Sequence, residues 1–152
     1  RMRRLRVALS MLLLASVLPA ASIAVASEFK SIGPGPAVLF DTPSTKGRKL
    51  FAAPAGMPVE IIISNGDWSR VRDAAGDLAW VENRSLSSKR MLVVESAQAI
   101  VRSSADEKAA VVFTANKGVL LELAEPVASS WLKVRHRDGD IGYAKASDVW
   151  GE

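Results

Sequence analysis

The residues able to do chemistry in this 152-residue chain are few, and most lie in two stretches, "WSRVRDAAGDLAWVE" from Trp68 and "WLKVRHRDGDIGYAK" from Trp131. Nucleophilic and metal chemistry finds little material in them. With 1 His and 0 Cys, any Ser/His/Asp or histidine-metal arrangement must be built on His136. Disulfides and a thiolate zinc site are excluded outright. His136 stands in "VRHRDGD", on the face of Val134 by strand alternation, and reads as a strand-end residue before a turn. "DGD" at Asp138 to Asp140 lacks the further spaced oxygens and distal Glu of a calcium loop and reads as a hairpin turn. "NRS" at Asn83 matches a glycosylation acceptor in form and reads as a polar turn. The expectation is a protein that is not an enzyme and uses neither metal nor cofactor.

The aromatic and cationic residues are more informative. Alternate residues of a strand share a face. With Val71 directed inward, Trp68, Arg70 and Arg72 take the outer face; with Val134 inward, Trp131, Lys133 and Arg135 do the same. A flat ring beside a cation can stack on a sugar or peptide plane while the cation holds a carboxylate. These six are the candidate ligand-binding residues. Val81 inward puts Trp80 outward, and Tyr143 faces away from Gly142 and Ala144. Trp80, Tyr143 and Trp150 are expected at a seam between domains or as secondary contacts, with Trp150 pinning the last strand or packing on the first domain.

The elements that must position these residues are short strands. Trp68, Val71, Gly76, Asp77 and Trp80 align with Trp131, Val134, Gly139, Asp140 and Tyr143 at an offset of 63; upstream, Val38, Leu39, Leu50, Phe51 and Gly56 align with Ile100, Val101, Val112, Phe113 and Gly118 at 62. One inserted residue between Gly118 and Trp131 marks a turn. Two copies of a small domain explain this period better than a solenoid, which needs at least three units. In the first copy "AVLF", "RKLFAA", "PVEIIIS", "WSRVRD" and "LAWVE" predict strands separated by Gly/Pro/Asn/Asp turns. In the second the strands are "QAIVR", "AAVVFTA", "GVLLELAE", "WLKVRHR" and "IGYAK". "MLVVES" falls opposite "FKSIGP" and predicts a lead-in strand, leaving only Ser87 to Arg90 as a linker. A connection that short is expected to hold the two units nearly fixed around a shared cleft.

An Ala-led apolar strand, a Pro/Ser-containing loop, two apolar strands around a Gly, W-x-(K/R)-V-R, a Gly turn, an aromatic, and a closing Leu86 or Val149 together resemble the bacterial SH3-like domain. The resemblance implies an all-β fold of two tandem SH3-like small β-barrels of about five strands each, at 27–88 and 89–152, after an N-terminal signal peptide. Members of that family occur as appendages of cell-wall hydrolases and are implicated in binding peptidoglycan. SH3 domains that read proline-rich ligands carry a closing Pro-Ser-Asn-Tyr-like segment and paired first-loop aromatics. Here "VENRSL" and "AKASDV" lack both the proline and the tyrosine, and Phe40 is the lone first-loop aromatic, so a groove for Pro-rich peptides is not expected. The expected function is a non-catalytic extracytoplasmic binding module for a cell-wall component, peptidoglycan peptide or glycan. The alternative is a periplasmic scaffold that docks an envelope protein.

The first 26 residues combine Arg1, Arg3, Arg4 and Arg6, an apolar run from Val7 to Leu18, and "AVAS", the three parts of a secretory signal peptide. Cleavage is expected after Ala26, giving a periplasmic or secreted protein, with membrane contact only through this segment if it is retained. Four of the 20 Lys and Arg precede residue 27 and all 16 Asp and Glu follow it. The remainder is formally neutral, so the pI of about 9.7 does not indicate a nucleic-acid partner.

Overall fold

The computed structural model describes residues 18–22 and 25–152, so most of the expected signal peptide, 1–26, lies outside the described residues. The remainder is built from strands and two three-residue 3-10 helices. The first unit comprises β1 (Glu28–Ile32), β2 (Ala37–Phe40), β3 (Lys49–Ala53), β4 (Pro58–Asn65), β5 (Trp68–Arg72), β6 (Leu78–Glu82) and β7 (Leu86–Ser87). The second comprises β8 (Met91–Val94), β9 (Gln98–Arg102), β10 (Val111–Asn116), β11 (Leu120–Leu123), β12 (Trp131–Arg135), β13 (Ile141–Lys145) and β14 (Val149–Trp150).

Each unit is one seven-stranded antiparallel sheet, and the strand order repeats: β3-β2-β6-β5-β4-β1-β7 and β10-β9-β13-β12-β11-β8-β14. The two strands beyond the expected five are the lead-in strand and the two-residue closing strand. The lead-in is not the edge strand but the one next to it: β1 pairs with β4 and β7, and β8 pairs with β11 and β14. Neighbouring strands lie about 4.8 Å apart, so a flat sheet would keep its edges far from each other. Instead Ile32 of β1, Leu39 of β2, Ala53 of β3, Val59 of β4, Val71 of β5 and Val81 of β6 form one buried cluster. The second sheet closes likewise over Leu92, Val101, Leu121, Leu132, Val134 and Val149. Curling hides the apolar face and shortens the free edge.

The internal repeat extends to backbone detail. Leu50 and Val112 are both the unpaired residue of a bulge against the preceding strand. Gly56 and Gly118 have φ of 88° and 90°, and Gly76 and Gly139 have 89° and 95°, values at which a side chain is strained. The inserted residue has a larger effect than a lengthened turn. β4 runs eight residues into a tight connection, Asn65 opposite Trp68, whereas β11 ends after four at Leu123. Pro126, with no N–H to give the ladder, stands in the loop that follows.

Candidate functional site

Strand alternation assigns the faces as expected. Ser69 and Val71 are buried while Trp68 is half-buried and Arg70 and Arg72 are exposed; Leu132 and Val134 are buried while Trp131, Lys133 and Arg135 are half-buried. Pairing then sets each residue's outer-face neighbour. Arg70 lies opposite Trp80, which lies opposite Phe40 on β2; across the bulge in β4, Arg70 also faces Ile63. The outer face of the first barrel thus carries a row Phe40, Trp80, Arg70, Ile63. In the second barrel the row is Arg102, Tyr143, Lys133. In both copies strand register sets a cation opposite an aromatic, Arg70 with Trp80 and Lys133 with Tyr143, across strands and not along the strand that carries Trp68 or Trp131.

Trp80 and Tyr143 therefore belong to the outer rows, and Trp150 is the one of the three at the seam. Its ring meets Phe29 of the first barrel edge-on, with centroids 5.3 Å apart. Trp68 packs edge-on against Phe40 at 5.6 Å, and Phe40 is buried.

Two depressions occupy equivalent places in the repeat. Each sits between the 3-10 helix and the loop after β2 or β9, and the two loops make matching backbone hydrogen bonds: Ser44 N and Asp106 N donate to Thr42 O and Ser104 O, and Gly47 N and Ala109 N donate to Ser44 O and Asp106 O. The first, about 360 Å³, is lined by Phe40, Thr45, Lys49, Glu82 and Arg84, among others. The second, about 290 Å³, is lined by Glu107, Ser130, Trp131, Lys145 and Ser147. Their charges differ at matched positions: Glu82 corresponds to Lys145, and Thr45 to Glu107. The Lys145 ammonium stands 5.8 Å from the centre of the Trp131 ring. Hydrogen bonding from Lys145, reinforced by its charge, holds the Glu107 carboxyl below its ordinary value of 4.5.

The six candidate residues do not converge on one site. Arg72 pairs with Glu60 at 3.2 Å, and Lys133 reaches Glu125 at 3.9 Å. Arg135 stands 3.6 Å from Glu122 and lines a third, larger cavity near the first barrel, apart from the Trp131 depression. Arg70 has no carboxylate within 4.0 Å among the described residues. Asn83 is a structural residue: its amide donates to Gly66 O at 3.0 Å and its carbonyl accepts from the buried Ser69 hydroxyl. His136 closes its own turn, its Nδ1 accepting from Asp138 N at 3.2 Å, with its ring 5.7 Å from that of Phe113. No group of three His, Cys, Asp or Glu is placed to hold a metal among the described residues. The Lys145–Glu107 pair was not singled out from sequence; its signal was the charge difference at matched positions of the two copies.

No curated protein matches the chain. Among solved structures it is similar to NlpC1 from Trichomonas vaginalis, 14% identical over 91% of this chain and 51% of that one, with a TM-score of 0.39. It is also similar to NlpC2 from the same organism, 12% identical over 84% and 49%, with a TM-score of 0.38. The chain spans about half the length of either. The bacterial SH3 domain family matches twice, at residues 33–88 and 95–151, which is most of the chain and takes in every strand of each sheet except the lead-in strands β1 and β8. With its repeated sheet order, its paired turn glycines and this double match, the chain belongs to the bacterial SH3 domain family as a tandem pair.

Proposed function

We propose that this protein is a non-catalytic module that binds a cell-wall component outside the cytoplasm, a peptidoglycan peptide or glycan, through the outer rows of its two barrels. Bacterial SH3 domains are often cell-wall binding modules. The observation that carries the reading is the repeated cross-strand pair: Arg70 opposite Trp80 and Lys133 opposite Tyr143. Cross-strand neighbours have Cβ atoms about 5 Å apart, so one ligand residue can contact both a ring face and a cation. Trp68 and Trp131 flank these pairs one pleat along the same strands. The N-terminal arginine cluster and apolar run support a periplasmic or secreted location.

The test is co-sedimentation with purified sacculi. The parent protein is expected to pellet, and Trp68→Ala, Trp131→Ala and the pair Arg70→Ala with Lys133→Ala, each shown folded by circular dichroism, are expected to weaken binding about tenfold or more. Failure of the parent protein to pellet overturns the wall reading. It would favour docking to an envelope protein, for which apolar residues exposed at matched positions offer a surface: Val38 and Ile100, Leu50 and Val112, Leu78 and Ile141.

A further inference from the structure

A further cavity lies outside these rows. It encloses about 670 Å³, within the roughly 300–1,000 Å³ of small-ligand sites. Met91, Val119 and Leu120 form an apolar lining, and Ala55 of the first barrel closes one side. Lys89 of the linker, Arg135 and Arg137 supply three cations against one carboxylate, Glu122, which stands 3.6 Å from both Lys89 and Arg135. Arg137 has no carboxylate within 4.0 Å among the described residues. The nearby Asp138 faces His136, at 3.0 Å.

The internal repeat separates what the fold requires here from what it does not. The turn after β5 is closed by Asp73 N to Asp77 O at 3.0 Å and Gly76 N to Asp73 O at 3.0 Å. The matching turn after β12 is closed by His136 N to Asp140 O at 2.9 Å and Gly139 N to His136 O at 2.8 Å. The hairpin is the same, yet Asp73 and Ala74 of the first copy correspond to His136 and Arg137 of the second. Asp138 also replaces Ala75, but Asp138 turns to His136, so the substitution that faces the cavity is the cation Arg137.

We propose that this cavity is a second binding site, for a short peptide that ends in a free α-carboxylate on a small aliphatic residue. Arg137 and Arg135 hold the carboxylate, and Met91, Val119 and Leu120 receive the aliphatic part. The site does not rest on the wall-binding reading, since none of the residues varied in the sedimentation test lines it.

The test uses the ¹⁵N-labelled protein titrated with N-acetyl-alanyl-alanine and, separately, with its C-terminal amide, to about 10 mM, well above a Kd of about 1 mM. The free acid is expected to shift the amides of Val119, Leu120, Arg137 and Gly139 saturably, and the amide to bind at least fivefold more weakly. His136→Asp with Arg137→Ala installs the residues that already form this hairpin in the first copy, so the fold is expected to survive; binding should fall about tenfold through loss of a charge-assisted hydrogen bond. Absence of saturable shifts at these residues, equal binding of acid and amide, or undiminished binding by the folded double variant would each overturn the proposal.

Discussion

A single methyl group tests how far the two copies are interchangeable. Ala79, buried on β6, corresponds to Gly142 on β13, but a Cβ at Gly142 would lie 2.6 Å from both Arg102 O and Val101 Cγ1. At Gly142 the backbone of β9 lies where a methyl group would have to go. Gly142→Ala is therefore expected to destabilise the second barrel by about 1–3 kcal/mol, read by urea unfolding. The solvent-facing ion pair of Arg72 with Glu60 should matter far less, with Arg72→Ala costing about 0–1 kcal/mol. Glu107 gives a pH signature. Because its carboxyl is held below the ordinary 4.5 by Lys145, the pair is intact above that value and is lost as pH falls through the lowered one. Trp131 fluorescence should hold constant from pH 7 to 5 and change only in more acid solution. In Lys145→Ala, NMR titration should return the Glu107 carboxyl to about its ordinary value, and an unchanged titration would refute the pairing.

Elements in the two copies solve one packing problem by different chemistry. Where β12 places the apolar Leu132 inward, β5 places Ser69, whose hydroxyl lies 2.9 Å from that of Ser64 on β4 and donates to Asn83 at the 3-10 helix. β4, β5 and the 3-10 helix are tied by polar groups, and Asn83 also reaches Gly66 across the tight turn. Its partners Ser64 and Asn83 are exposed, so Ser69→Ala removes about the net worth of one hydrogen bond and should destabilise the first barrel by about 0.5–1.5 kcal/mol, measured as a shift in its urea midpoint. A loss below about 0.5 kcal/mol would show that water satisfies Asn83 instead. The network accompanies the eight-residue β4 with its tight turn, whereas the shorter β11 leads into a loop containing Pro126.

Across the whole molecule, the linker is held at both ends. The Ser31 hydroxyl donates to Lys89 O at 2.7 Å, the Arg90 guanidinium donates to Gly151 O at 2.9 Å and lies 5.6 Å from the Phe29 ring centre, and Phe29 meets Trp150. First strand, linker and last strand thus share one seam, so the pair is expected to move as one body. Amide relaxation of the parent protein should report a single tumbling time for both barrels. Trp150→Ala is expected to split it into two, and independent tumbling in the parent would refute the rigid pair and with it a cavity wall contributed by Ala55.

Much of this was legible in sequence because its causes are local. Period-two alternation put Val71 and Val134 inside and Trp68, Arg70, Lys133 and Arg135 outside, and the recurring Gly76 and Gly139 marked identical hairpins, since one pleat or one turn needs only its own residues. The lead-in strand was legible from "MLVVES", but its place between two other strands was not, because pairing to both β11 and β14 depends on how the sheet curls. Likewise the outward cations could be counted, but their sorting into separate places could not. Arg70 meets Trp80, Lys133 meets Tyr143 and Arg135 joins Lys89 and Arg137 only through strand register and the docking of one barrel on the other. By itself the sequence determined a tandem of small barrels with an aromatic and cationic outer face. The tertiary structure alone decided which charges share a cavity, because electrostatic neighbours are set by distances across the fold and not by spacing along the chain.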